Sequence, residues 1–161
     1  AAEVGDLLDL SVGPQEVLTS APWTGGGIEA QMGDLARFFK AMFDGTVLQE
    51  ETVELFSETA LDTSYGLGIQ LSERVGYRTF EHGGGVPGFR SHARYFPDLD
   101  VSIALSTNLI PVDPDVGQLA DTVTQLVLDA LEEAGWEVPS PIGGGQSEEA
   151  PEDPNAGTTG S

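Results

Sequence analysis

The chain has 161 residues, 39% of them hydrophobic, with 27 acids against 6 bases and a formal net charge of −21. That length accommodates one domain with a real core; the negative field excludes nucleic acid and anionic membrane as partners, and the hydrophobic content argues against disorder through most of the chain. Without cysteine there is neither a disulfide framework nor thiolate chemistry, and no apolar run reaches the length of a membrane span. A surface of acids with one lysine, Lys40, has two readings. One is adaptation to high salt, where screening relieves self-repulsion; the other is a face for a basic partner.

The N-terminus lacks an initiator Met and the basic-then-apolar pattern of a signal peptide, so a processed or excised piece is expected. Residues 1–30 carry Gly, Pro and Ser at short intervals, and "APWTGGG" reads as a loop. From about Gln31 the period turns helical, with Met32, Leu35, Phe38, Phe39, Met42 and Phe43 on one face and Gly45 placed to end it. Gln49 to Glu58 is a shorter helix. The period then becomes two: Tyr65, Leu67, Ile69 and Leu71 alternate with Gly66, Gly68 and Gln70, which predicts a first strand. A turn over 73–76 leads to a second strand from Tyr77 to His82. Phe89 to Phe96 and Val101 to Thr107 are the third and fourth, and the short connections suit an antiparallel meander. Asp113-Pro114-Asp115 offers an N-cap, a proline at N1 and an acid for the helix dipole. The helix that follows carries a broad apolar stripe from Val116 to Ala134, which includes Ala120, Leu126 and Leu131, and Gly135 closes it. Such a stripe covers a sheet face. After Val138 the composition collapses to Gly, Pro, Ser, Glu and Asp, so 139–161 is expected to be a disordered acidic tail after a domain spanning 1–138. The fold class is α+β: an antiparallel sheet of about four strands, a C-terminal helix packed on it and a helical segment before it.

Chemistry concentrates in Glu81-His82-Gly83-Gly84-Gly85-Val86-Pro87-Gly88-Phe89. His82 is either a side chain that orients a substrate or moves a proton, or one hydrogen-bonded to nearby backbone. Its spacing from His92 matches no metal motif, and no metal is expected. The three glycines either allow unusual backbone angles in a simple strand-to-strand turn, or clear room for a ligand along a strand edge. In the second case a free N–H would stabilise developing negative charge. A phosphate cradle needs a helix after the loop, and a strand follows instead. Neither Gly-x-Ser-x-Gly nor Ser-x-x-Lys occurs, since Arg37 stands three before Lys40, and there is no Tyr-x-Asn. Loose serines such as Ser64 and Ser91 read as solvated or strand-edge hydroxyls.

"YGLGIQL", "FEHGGGVPGFRSHARYFPDLDVSIALSTN" and the closing helix, in this order, resemble the C-terminal part of the penicillin-recognising serine hydrolases. These are the serine β-lactamases, D-alanyl-D-alanine carboxypeptidases and related esterases. "GGGIEAQMGDLARFFKAMFDG" resembles the helical segment that precedes those strands, and the likeness covers about residues 20–135. The resemblance implies a partial β-lactamase/transpeptidase-like fold with its site between a sheet and a helical domain. His82-Gly83-Gly84 resembles the family's third motif in its His-x-Gly form. By that resemblance His82 and Gly85 are the catalytic residues: His82 contacts the substrate's carboxylate side and the N–H of Gly85 is one of two oxyanion donors. Gly83 and Gly84 line the substrate, and Gly83 stands where the family usually has a hydroxyl. Asn108 is expected to be structural. Ala30-Gln31 replaces the usual Ser-Thr at the helix entry, which weakens that cap.

What the resemblance implies for function is acyl-enzyme hydrolysis of a small-molecule or peptide-like amide or ester, without a cofactor. The family's Ser-x-x-Lys precedes this region, so the chain is expected to be one wall of the cleft, inactive alone. Alternatives are a non-catalytic binding module and one half of a split enzyme whose partner is its own missing N-terminal half. The resemblance points to an extracytoplasmic or cell-envelope location. An unpaired sheet edge, an uncovered face and self-association at low salt are also expected.

Overall fold

The computed structural model describes residues 28–58, 64–109 and 113–142, together with positions 16, 20 and 23–26. Among them are three α-helices, a short 3-10 turn at Trp23–Gly25 and one four-stranded antiparallel sheet. Helix α1 is Met32–Phe43 and α2 is Glu50–Ser57; the strands are β1 Gln70–Arg74, β2 Tyr77–Val86, β3 Phe89–Phe96 and β4 Val101–Thr107; α3 is Val116–Glu133. The sheet order β1-β2-β3-β4 is the meander that short loops dictate. No helix is long and apolar enough to cross a membrane among the described residues.

Strand periodicity gives the sheet two different faces. The register pairs Glu81 with Arg94 and Arg94 with Ile103, so these residues share a face with Tyr77 and Phe96. Helix α3 covers that face, and Tyr77, Phe96, Ile103 and Leu128 form its buried core. On the opposite face Phe80 and Tyr95 meet α1. Phe43 stacks on Phe80 with ring centroids 4.5 Å apart, and Phe43, Ile69 and Tyr95 form a second core. Ser102 Oγ, donating 2.8 Å to the carbonyl of Ala36, ties α1 to β4. Both faces therefore carry a helix, contrary to the expected uncovered face. The outer edge of β4 has no strand beside it among the described residues.

Helix α1 and strands β3 and β4 lie where the periodicity placed them, and Gln31 makes no side-chain cap bond, in keeping with its weak capping chemistry. Elsewhere the expectations need correction. The first strand is Gln70–Arg74, not Tyr65–Leu71, and Tyr65 contributes only an isolated bridge to Gln70. The two glycines that mimicked an alternating strand have other causes. A Cβ on Gly66 would lie 2.0 Å from the carbonyl oxygen of Phe56, and Gly68 has φ +78. The turn is shorter than expected, only Val75 and Gly76, both at positive φ as a type I′ hairpin requires.

The second strand does not stop at His82. It runs through Gly83, Gly84 and Gly85 to Val86, because Phe89–Phe96 pairs with it along that whole length. None of the three glycines has positive φ, so unusual backbone angles are not their purpose; the turn is Pro87-Gly88, with Gly88 at φ 85. At α3 the N-cap is Asp115 rather than Asp113. Its carboxylate accepts from the N–H groups of Gly117 and Gln118, and the Gln118 side chain returns a bond to the Asp115 N–H. On the stripe, Leu126 is exposed and Thr124 is buried, its hydroxyl satisfied by the carbonyl of Ala120.

Of the 139–161 tail, Pro139 to Ile142 is described. Tyr77 Oη donates to the carbonyl of Pro139 at 2.6 Å, and the N–H of Ile142 to that of Gly76 at 2.7 Å. Residues 143–161 lie outside the described residues, as does most of 1–27.

Candidate active site

The hydrogen bonds of β1 decide which way each amide of β2 points. Leu71 N–H donates to the carbonyl of Ser64 and Gly66 N–H to that of Ile69, so residues 69 and 71 bond away from β2. Gln70, between them, therefore bonds toward its register partner Glu81. By the same alternation the odd-numbered residues of β2 bond toward β1 and the even-numbered ones toward β3. Strand β1 begins at Gln70, and Gly83 and Gly85 lie beyond that point. Their N–H groups project from an edge that carries no strand among the described residues. All three glycines are solvent-exposed. The opened edge, not a turn, is what the glycine run provides.

His82 bonds to a side chain rather than to backbone. Its Nε2 is 2.8 Å from Tyr65 Oη, and the two rings meet edge-on with centroids 6.0 Å apart. Both residues are exposed. By alternation His82 points to the face that carries α1. There it is, among the described residues, the one polar side chain lining a cavity of about 240 Å³ with Phe39, Met42, Phe43, Phe56 and Ile69. Thus His82 and the glycine edge adjoin, while the imidazole faces the apolar side of the sheet.

Beneath the same strand, on the α3 face, lies a cluster that sequence reasoning missed. Glu81, wholly buried, accepts from Ser72 Oγ at 2.8 Å and Arg74 Nη2 at 2.7 Å, both at Oε1. His92 Nε2 lies 3.0 Å from Oε2 and donates to it, since an ionised carboxylate only accepts. Arg94, also wholly buried, brings Nη2 to 3.4 Å from Oε2 and donates through Nη1 to Asp121 at 2.5 Å. Burial alone would push the Glu81 carboxyl up. The bonds from His92, Arg74 and Ser72 outweigh it and bring the group down to about 2. One carboxylate thus joins β1, β2 and β3, and Arg94 carries the connection to α3. The signal available in the sequence was phase: Glu81 and Arg94 occupy the interior-facing positions set by Tyr77 and Phe96 on their own strands.

A family model for beta-lactamase matches residues 4–128. The chain belongs to the beta-lactamase family. Among solved structures, a D-amino acid amidase from Ochrobactrum anthropi SV3 in complex with L-phenylalanine amide is similar in fold, with a TM-score of 0.52 at 19% identity. The alignment covers 63% of this chain and 33% of the amidase, so the chain spans about a third of that protein's length. The same amidase in complex with D-phenylalanine aligns with a TM-score of 0.48 at 21% identity, over 63% and 36% of the two chains. No curated protein matches the chain. The beta-lactamase family and this fold are those of the penicillin-recognising serine hydrolases, and the four-stranded sheet with its flanking helices is a part of that architecture.

Proposed function

We propose that this chain forms one wall of the acyl-transfer site of a serine hydrolase that cleaves a small amide or ester. The observation that carries the reading is the edge of β2 where the amides of Gly83 and Gly85 project with no partner strand among the described residues, in a member of the beta-lactamase family. A carbonyl oxygen resting against the Gly85 N–H would be stabilised as a serine hydroxyl adds to its carbon and negative charge grows on it. Collapse of that adduct expels the amine or alcohol and leaves an acyl-serine, which water then hydrolyses. Gly83 and Gly84 add no side chains of their own toward the substrate, Ser91 Oγ lies against Gly84, and His82 borders the strand on the α1 face. The D-amino acid amidase bound to phenylalanine amide shares this fold, which fits a small amide as substrate.

Because Ser-x-x-Lys does not occur in the chain, the attacking serine in this reading comes from a different segment, and the chain by itself hydrolyses nothing. Nitrocefin, p-nitrophenyl acetate and phenylalanine amide at high salt are the substrates to try. The decisive experiment adds an N-terminal segment carrying Ser-x-x-Lys and Tyr-x-Asn, then compares the Gly85→Pro variant. Proline removes one N–H at an edge position where no ladder bond is lost. Activity that appears on reconstitution and falls by about 10²–10³-fold in kcat with Gly85→Pro supports the assignment. An unchanged kcat sinks it, as does turnover by the lone chain that disappears in His82→Ala.

A further inference from the structure

We propose that the cavity beside His82 is a subsite for an uncharged aromatic group of the substrate, about the size of a phenyl ring. The inference rests on the reading above, in which the edge of β2 faces the reacting carbonyl, and it adds what that carbonyl is attached to. The cavity measures about 240 Å³. A cavity of roughly 150 Å³ is enough to take up benzene, so this pocket, which is open to solvent on one side, has the volume for a substituted ring. Three phenylalanine rings, from Phe39, Phe43 and Phe56, form its walls with Met42 and Ile69. Rings so disposed offer edge and face contacts to a further ring, and the methionine sulfur adapts to its outline.

Chemistry at the rim narrows the class. Among the described residues that line it, none is an acid, a lysine or an arginine, and the one polar side chain, His82, has its Nε2 engaged by Tyr65 Oη at 2.8 Å. A charged substituent placed among the phenylalanines would lose its hydration with nothing to replace it. The net charge of −21 adds long-range repulsion against an anion. Position agrees as well. Three residues of extended strand, about 10 Å, separate His82 from Gly85, so a ring and a carbonyl joined by a short spacer reach both.

The test is binding to the chain itself, followed through its backbone amide resonances. Three ligands separate the terms: benzamide presents a neutral ring, phenylacetate a ring with an anion, and acetamide the amide with no ring. Benzamide should shift the resonances of Gly68, Ile69 and His82 with a dissociation constant of about 1 mM. Phenylacetate and acetamide should bind at least about tenfold more weakly. Met42→Trp, which fills the cavity, should abolish the benzamide shifts. If that variant does not fold, the three-ligand comparison in the unsubstituted chain decides alone. No shifts with benzamide, shifts confined to residues away from the cavity, or equal binding by all three ligands overturns the proposal. Ring binding needs no nucleophile, so a failed reconstitution of activity leaves it standing. Absent ring binding, in turn, leaves the role of the Gly85 amide intact.

Discussion

Replacing Glu81 with glutamine removes one negative charge from beneath the open strand edge and leaves a buried arginine without it. Glu81 and Arg94 are both wholly buried, and the carboxylate receives bonds from three side chains on two other strands. Glutamine keeps the shape but cannot balance Arg94 and Arg74. Breaking a buried pair costs about 3–5 kcal/mol when the remaining charge is left alone, and Arg94 keeps its bond to Asp121, so that range is an upper bound here. Acid titration gives an independent magnitude for the same group. The carboxyl ionises near 4.5 when unfolded and at about 2 when folded. At about 1.4 kcal/mol per pH unit, its ionisation stabilises the folded chain by about 3 kcal/mol. Because the folded value is the lower one, that contribution is complete above pH 4.5 and is lost as the pH falls toward 2. Urea unfolding followed by circular dichroism, from neutral pH downward at constant high salt, measures both. The unsubstituted chain should lose stability through this window, and the gap between it and Glu81→Gln should shrink in step. A Glu81→Gln variant within about 1 kcal/mol of the parent at neutral pH would refute the reasoning. So would a gap that stays constant with pH, since it would mean the carboxylate is not held by its cationic partners.

Phe96→Ala should cost about 3–5 kcal/mol in the same unfolding assay, because the ring is wholly buried against Tyr77, Ile103 and Leu128. Asp115→Ala should cost about 1 kcal/mol through loss of the N-cap of α3, whereas Asp113→Ala, outside the cap, should cost much less. Ultraviolet titration of the three tyrosines should show one ionising only at about 12 and absent in Tyr95→Phe. Burial pushes that phenol up, with its bond to Asp100 adding to the effect. Its folded value lies above the ordinary 10, so stability should fall as pH rises from 10 toward 12. With a net charge of −21, folding should strengthen as salt screens self-repulsion. If the open edge of β4 recruits further copies, sedimentation should show association at low salt, and a monomer at all salt concentrations would count against that.

Local chemistry settled much of this molecule before any packing was known. The apolar spacing of Met32–Phe43 and Val116–Glu133 specifies helices, and alternation in Val101–Thr107 specifies a strand, because each period repeats within a few residues. Motif order along the chain likewise sufficed to point to the family that the residues 4–128 match. Tertiary structure decided the rest wherever the cause lies far along the chain. Glycines at 83–85 read in isolation either as a turn or as a strand edge cleared for a ligand; pairing with Phe89–Phe96 holds them extended, and the start of β1 at Gln70 leaves their amides without a partner strand among the described residues. Gly66 is a glycine because the Phe56 carbonyl passes close by, a contact no local pattern encodes. The ionic cluster joins residues 72, 74, 81, 92, 94 and 121, drawn from three strands and a helix. Burial of a charge depends on partners that only the folded chain brings together, so strand phase can turn Glu81 inward but only those partners make it the centre of the sheet's interior face.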